Sequence, residues 1–345
     1  MSKSLGNSPD PLELMEQYGT DGVRVGMLLS SPAGNDLMFD VSYCEQGRNF
    51  ANKIWNAFRL VKGWEVSADL NNTGAQDTAI TWFENRFNEA LKEIEEHFEA
   101  YRISDALMAT YKLVWDDFCA WYLELVKPAY QQPISAAAFE KTKGFFENIM
   151  KLIHPFMPFI SEELWHDELF GNRSEKDCCI VAEYPKVGVI DTSILQSFEL
   201  YKQAVSEIRN LRNNLQISPK TTLEVSLKAA EGSNWLAQYK EALEKLGNVS
   251  GLHFVSEKPA GTSSFLVDKD EFYVLTASEI DVEAEKARII KDIEYLEGFL
   301  KSVEAKLSNE RFMQNAKPEI IVNEQNKKAD AVSRLEILKA SLAAL

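Results

Sequence analysis

From Asp40 to about Gly171, large apolar residues return every three or four positions, and this period limits the available folds more than any other feature. Tyr43, Gly47, Phe50, Ala51, Ile54, Trp55 and Phe58 trace one stripe along a single helix, the spacing that puts side chains on one buried face. Three further helices are predicted at about 78–100, 102–127 and 136–153, after a Gly/Asn-rich loop at 71–76 and with breaks at Pro128 and Pro133. Pro155 and Pro158 mark another corner, and Ser161-Glu162-Glu163-Leu164-Trp165 restarts a helix. Trp82, Trp115, Trp121 and Trp165 fall on apolar positions and are expected in the core of an antiparallel bundle.

The flanks read differently. Residues 10–18 predict a short helix capped by Asp10, with Pro11 at its first position and Gly19 as its stop. Thr20-Asp21 is expected to cap a second helix reaching Ser30, ended by Pro32, Gly34 and Asn35. Residues 172–195 look irregular, with Ile180-Val181-Ala182 as an extended run. A helix over 194–214, an alternating strand over 221–227, a helix over 234–246 and strands at 252–256, 263–267 and 272–276 make a small α/β unit. Val282, Ile289, Ile293, Leu296, Leu300, Val303 and Leu307 then form a heptad seam. Ala331, Leu335, Leu338, Leu342 and Leu345 form a second one beyond Pro318. Two seams joined by a short break fold back most simply as an antiparallel hairpin, expected to project into solvent.

With 345 residues, 45% hydrophobic and 26% charged, the chain has core enough for two or three domains. No charged-then-apolar leader and no membrane-length apolar run are present, so no membrane partner is expected. Cys44, Cys119, Cys178 and Cys179 form no C-x-x-C pair and read as reduced thiols of a cytoplasmic protein. Together with the scattered His97, His154, His166 and His253, they give no expectation of a metal site. His154, beside Pro155, reads as a packed helix-end histidine. A net charge of −16 opposes a nucleic-acid partner unless basic groups gather locally.

Such a gathering occurs on the first bundle helix. Arg48, Asn49, Asn52, Lys53, Asn56 and Arg59 share one polar face opposite Phe50, Ile54 and Phe58. Arg and Asn can bond base edges, and Lys can neutralise phosphate. Around the start of the α/β unit, Lys202, Arg209, Arg212 and Lys220 make a second basic stretch. In each case an ordinary solvated helix face is the competing account. On the terminal helices Lys286, Arg288, Lys291, Lys301, Lys306 and Arg311 are interleaved with acids, and most are expected in i,i+4 pairs.

Several strings carry a family resemblance. Met1-Ser2-Lys3-Ser4-Leu5-Gly6-Asn7 resembles the end of the K-M-S-K-S loop of class I aminoacyl-tRNA synthetases. Ser31-Pro32-Ala33-Gly34-Asn35-Asp36 and Gly47-Arg48-Asn49-Phe50-Ala51-Asn52-Lys53-Ile54-Trp55-Asn56 look like the entry to a valyl-type anticodon-binding bundle. Phe118-Cys119-Ala120-Trp121-Tyr122-Leu123-Glu124 and the run from His154 to Trp165 are similar to the Val, Ile, Leu and Met subgroup. The string from Lys306 to Phe312, followed by Ala316-Lys317-Pro318, is similar to the turn of the valyl enzymes' C-terminal arm. The whole order of parts resembles the C-terminal half of valyl-tRNA synthetases.

The resemblance implies a mainly α fold in four parts. These are the end of a catalytic region (1–39), an antiparallel anticodon-binding helical bundle (40–192), an α/β junction unit (193–277) and a coiled-coil tRNA-binding arm (278–345). It implies tRNA(Val) as partner, contacted by Arg48, Asn49, Asn52, Lys53, Asn56, Arg59, Arg209, Arg212 and Arg311. It also implies Lys3 as the catalytic lysine of the ATP loop, with Ser2 and Ser4 as hydroxyl donors and Gly6 permitting closure. ATP with Mg would belong to a full-length parent whose catalytic and editing domains lie outside this sequence. No cofactor is therefore expected on this chain, which is not expected to aminoacylate alone and is expected to be monomeric. Two other readings remain: the same region of an Ile, Leu or Met synthetase, or a helical protein-interaction scaffold that binds no RNA.

Overall fold

Asp10 opens the first helix by accepting the Leu12 amide at 2.8 Å, and Gly19, at φ 76°, ends it: α1 spans Pro11–Tyr18. The computed structural model describes residues 9–32, 34, 39–230, 233, 235–275, 282–309, 312 and 318–343. Helix α2 (Thr20–Leu29) follows without a side-chain cap. Asp21 instead accepts the Phe159 and Ile160 amides at 3.3 and 2.7 Å, so it caps a helix far along the chain. Burial raises its pKa, against the pull of those two amides and of Arg24.

The first compact unit runs Met1–Phe198. After α3 (Val41–Lys62), the chain makes strand β1 (Val66–Ser67) and enters α4 (Gly74–Glu99). The expected loop at 71–76 ends early because Thr73 and Gln76 form a capping box, each side chain bonding the other's amide. The helix expected over 102–127 is one continuous rod of three parts. These are α5 (Ile103–Lys112), a π-helical stretch (Leu113–Tyr122) and α6 (Leu123–Val126). Strand β2 (Ile134–Ser135) pairs in parallel with β1, and Ser135 caps α7 (Ala136–Ile153). Helix α8 (Pro158–Trp165) starts at Pro158 rather than Ser161, because the ring sits where no helical amide is required.

The bundle core is aromatic. Phe83 lies 5.3 Å from Phe118 and 5.0 Å from Phe145, ring centre to ring centre, and Trp82 stacks on Phe198 at 3.8 Å. The Tyr122 hydroxyl and Thr142 Oγ1 share a 2.7 Å hydrogen bond, and Arg86 Nε donates to Asp117 at 2.8 Å. Trp82 and Trp165 are buried as expected, but Trp115 and Trp121 are only half-buried. Past α8 the run Ile180-Val181-Ala182 is not extended. Cys179–Val181 form one 3₁₀ turn, with Ile180 and Val181 facing solvent.

The second unit runs Glu199–Leu345. Helix α9 (Thr192–Asn214) leads to β3 (Leu223–Lys228), where Leu223, Val225 and Leu227 are buried in alternation. Helix α10 (Trp235–Gly247) then crosses to β4 (Val249–Phe254), parallel to β3. That strand begins three residues earlier than expected, because Asn248 takes a φ of 50° and turns the chain directly into it. Strands β5 (Thr262–Val267) and β6 (Asp270–Leu275) form a hairpin, and the sheet order is β4-β3-β6-β5. Asp270 collects the Ala230 amide, the Ser233 hydroxyl and the Trp235 indole N–H within 2.8 Å.

Helices α11 (Val282–Leu307) and α12 (Pro318–Ala343) pack along the expected seam. Ile289, Ile293, Leu296, Leu335 and Leu338 are its buried members. Ion pairs Lys306–Glu324, Lys328–Glu304 and Lys339–Glu297 step in opposite directions along the two helices, which makes the hairpin antiparallel. Its base does not stand clear in solvent. Leu266 packs on the seam, and Lys269 pairs with Asp330 at 3.6 Å. Val282 and Leu345 of the expected seam lie outside the side chains described.

Candidate nucleic-acid interface

Helix α3 begins at Asp40, which accepts the Ser42 amide at 2.8 Å; the bonds from Ser42 hold its carboxyl below the usual range. Its buried side is set by α2. A Cβ on Gly26 would lie 2.5 Å from Cys44 Sγ, and one on Gly47 2.6 Å from the Gly22 carbonyl oxygen. The two backbones therefore approach as only glycine permits. With that crossing fixed, Cys44, Phe50, Ile54, Ala57, Phe58 and Val61 point inward.

The opposite side faces solvent. Asn49, Asn52, Asn56 and Arg59 are exposed, as the helical spacing predicted. Tyr43 and Trp55, expected in the buried stripe, are 38% and 40% exposed; Cys44, Ala57 and Val61 take the inward positions instead. Asn52, Trp55, Asn56 and Arg59 thus stand at i, i+3, i+4 and i+7, one row of amide, indole, amide and guanidinium.

Arg48 and Lys53 are less free. Arg48 pairs with Glu45 at 3.2 Å and lies 5.5 Å from the centre of the Tyr18 ring. Lys53 sits 5.4 Å from the Trp115 ring, which stacks on Tyr111. Both cations remain partly exposed while aromatic rings sit against their charged heads.

The second basic stretch divides. Arg209 is exposed. Arg212 is buried, and its guanidinium donates to the carbonyls of Ser218, Thr221, Gly247 and Asn248 at 2.6–3.3 Å. Burial lowers its pKa below the usual arginine value. The side chain expected to contact tRNA thus ties α9 to the turn before β4, with four of its five N–H groups engaged there. Lys202 pairs with Glu199 at 2.8 Å. Ser2, Lys3, Ser4, Gly6 and Arg311 lie outside the described residues.

Comparison with known proteins completes the picture. Residues 1–40 match the class I tRNA synthetases of the I, L, M and V type, and residues 81–227 match the anticodon-binding domain of tRNA ligase. Residues 281–345 match the valyl tRNA synthetase tRNA binding arm. Valine–tRNA ligases of Christiangramia forsetii and Parabacteroides distasonis are 48% and 46% identical over 345 residues, all of this chain and 39% of each relative. Along its whole length the chain corresponds in sequence to part of the valyl-tRNA synthetases. A more distant relative, the valine–tRNA ligase of Fusobacterium nucleatum subsp. nucleatum, is 33% identical over 99% of the chain and 40% of its own length. The chain thus spans about two fifths of the relatives it matches.

Along the chain, α3 lies between two matched stretches, whereas the hairpin coincides with the arm. Among the described residues of the hairpin, ion pairs join the two helices as well as neighbouring turns of one helix. Lys306, for example, reaches Glu324, and with Lys327 it holds that carboxyl below the usual range. Lys291 and Lys301 are exposed. Trp55 is the residue that sequence reasoning missed. Its period matched the core, yet it lies at the edge of the buried stripe, with its ring 5.8 Å from Phe58 and partly in solvent. Among the described residues, no helix is long and apolar enough to cross a membrane.

Proposed function

We propose that this chain is the tRNA-binding part of a valine–tRNA ligase, with the outer face of α3 meeting the single-stranded anticodon loop of tRNA(Val). The row Asn52, Trp55, Asn56 and Arg59 carries the proposal. Unpaired bases can stack on an exposed indole while neighbouring amides and a guanidinium bond their edges. Asn49, Arg48 and Lys53 flank that row, and Arg209 and the hairpin's Arg311 would add phosphate contacts elsewhere along the tRNA. The parts would then be a catalytic-region end (1–39), an anticodon-binding bundle (40–192), a junction (193–277) and an arm (278–345). In the parent enzyme, catalytic and editing domains of the same chain would bind ATP with Mg. Lys3, helped by Ser2, Ser4 and Gly6, would stabilise charge on the departing pyrophosphate. Such an enzyme is cytoplasmic and monomeric in this proposal.

Filter binding with a valine tRNA transcript and an anticodon-changed transcript, over a range of salt, tests it. Trp55→Ala should weaken valine tRNA binding by about 1–3 kcal/mol, the loss of one base stack. Arg59→Ala should cost about 1–3 kcal/mol and narrow the preference between the two transcripts, as loss of a base-edge contact does. Equal binding of both transcripts, untouched by Trp55→Ala, would defeat the anticodon assignment, and binding of neither would favour the protein-scaffold reading.

A further inference from the structure

Away from α3, the described residues contain one place where metal-ligating side chains of three kinds converge. Glu162 and His166 stand one turn apart on α8, with His166 Nε2 3.1 Å from Glu162 Oε1. The irregular segment after α8 folds back and brings Cys178 to them. The Cys178 Sγ, a Glu162 carboxylate oxygen and a His166 ring nitrogen all lie within 4.8 Å of one another. No sequence motif announces the set, since the third ligand follows the second across an irregular stretch. That is why the cysteine and histidine spacings gave no such expectation.

Side chains of α8 hold the backbone around Cys178 in place. Trp165 donates its indole N–H to the Asp177 carbonyl at 2.6 Å. The Cys179 amide reaches both Glu162 oxygens, at 2.9 and 3.1 Å. Residues on each side of Cys178 are therefore fastened to α8, and its side chain is positioned before any ion arrives. The Arg173 guanidinium lies 3.5 Å over the Trp165 ring and bonds the Glu147 carboxylate, tethering the same segment at a third point.

We propose that Glu162, His166 and Cys178 form a binding site for a divalent transition metal of zinc character. A thiolate with an imidazole and a carboxylate suits Zn²⁺ and disfavours Mg²⁺ or Ca²⁺, which take oxygen donors. Tetrahedral zinc, at about 2.3 Å from sulfur and about 2.0–2.1 Å from nitrogen, sets those two ligands about 3.6 Å apart. Closing from the present spacing takes small rotations of partly exposed side chains. The site borders a groove lined by His154, Phe159, Glu163 and Ile180 that is open to solvent, so water supplies the fourth ligand. On binding, the Cys178 thiol gives up its hydrogen bond to the Glu175 carbonyl, now 3.2 Å, and releases its proton to solvent. The metal then joins the end of the irregular segment to α8, adding a cross-link to the hydrogen bonds and the Arg173–Trp165 contact already there.

Titration of the chain with Zn²⁺ against a chromophoric chelator, and with Co²⁺ as an optical probe, tests this. One equivalent should bind, and Co²⁺ should show a thiolate-to-metal charge-transfer band. Cys178→Ser should abolish that band and weaken zinc binding at least about tenfold, and His166→Gln should weaken binding similarly while keeping a thiolate band. Circular dichroism should be unchanged, since neither side chain is buried. In the unaltered chain, zinc should slow alkylation of Cys178. Absence of saturable binding, a Co²⁺ band that survives Cys178→Ser, or alkylation indifferent to zinc would each overturn the proposal.

Discussion

The bundle and the terminal hairpin are both built from long amphipathic helices, yet they are held together by different means. In the bundle, Trp82, Phe83, Phe118, Tyr122 and Phe146 are almost wholly enclosed and touch one another from several helices. Beyond its base, where Leu266 packs on the seam, the hairpin has one partner surface per helix, a narrow line of Ile and Leu flanked by ion pairs in water. Enclosure from several directions makes each bundle residue expensive to remove. A two-helix seam leaves half of every turn solvated, so its stability is spread thinly along its length.

Three measurements would break or sharpen that contrast. Trp82→Ala removes a stacked indole that is 1% exposed and should cost about 3–5 kcal/mol, read by urea unfolding. A cost like that of a surface site would show the aromatic core to be less tightly packed than its ring distances imply. Ile293→Ala should cost about 2 kcal/mol, at the low end for a core aliphatic, because the seam can close around the lost atoms. Its effect should appear as faster amide exchange in α11 and α12 and leave the α4 amides unchanged. Lys328→Gln, removing an exposed ion pair with Glu304, should cost no more than about 0.5 kcal/mol, and high salt should erase even that. A larger, salt-resistant loss would mean that the hairpin depends on its charges rather than on its seam.

What sequence could reveal follows the same division. The seam residues Ile289, Ile293, Leu296, Leu335 and Leu338 were legible because a repeating local pattern dictates a repeating local contact. Asp10 and Gly19 were legible because a helix end is decided within a few residues. Asp21 was not: its carboxylate serves amides 138 and 139 residues away, and no local rule contains that distance. The π-helical stretch at Leu113–Tyr122 hid because its apolar pattern reads as ordinary helix. For the candidate interface, the polar row of α3 was visible in the helical period, but the outward turn of Trp55 was not. The burial of Arg212 was hidden for the converse reason. Charge marked it as a surface group, while four carbonyls supplied by separate turns make a buried socket for it.

The glycine contact between α2 and α3 has a mechanical consequence. Where side chains separate two helices, one can slip by a rotamer change while the other stays still. Here Gly26 abuts Cys44 and Gly47 abuts Gly22 with no such cushion, so the pair has no cheap way to shear. Any tilt imposed on α2 is handed whole to α3, and the row that carries Trp55 swings with it like the far end of a lever.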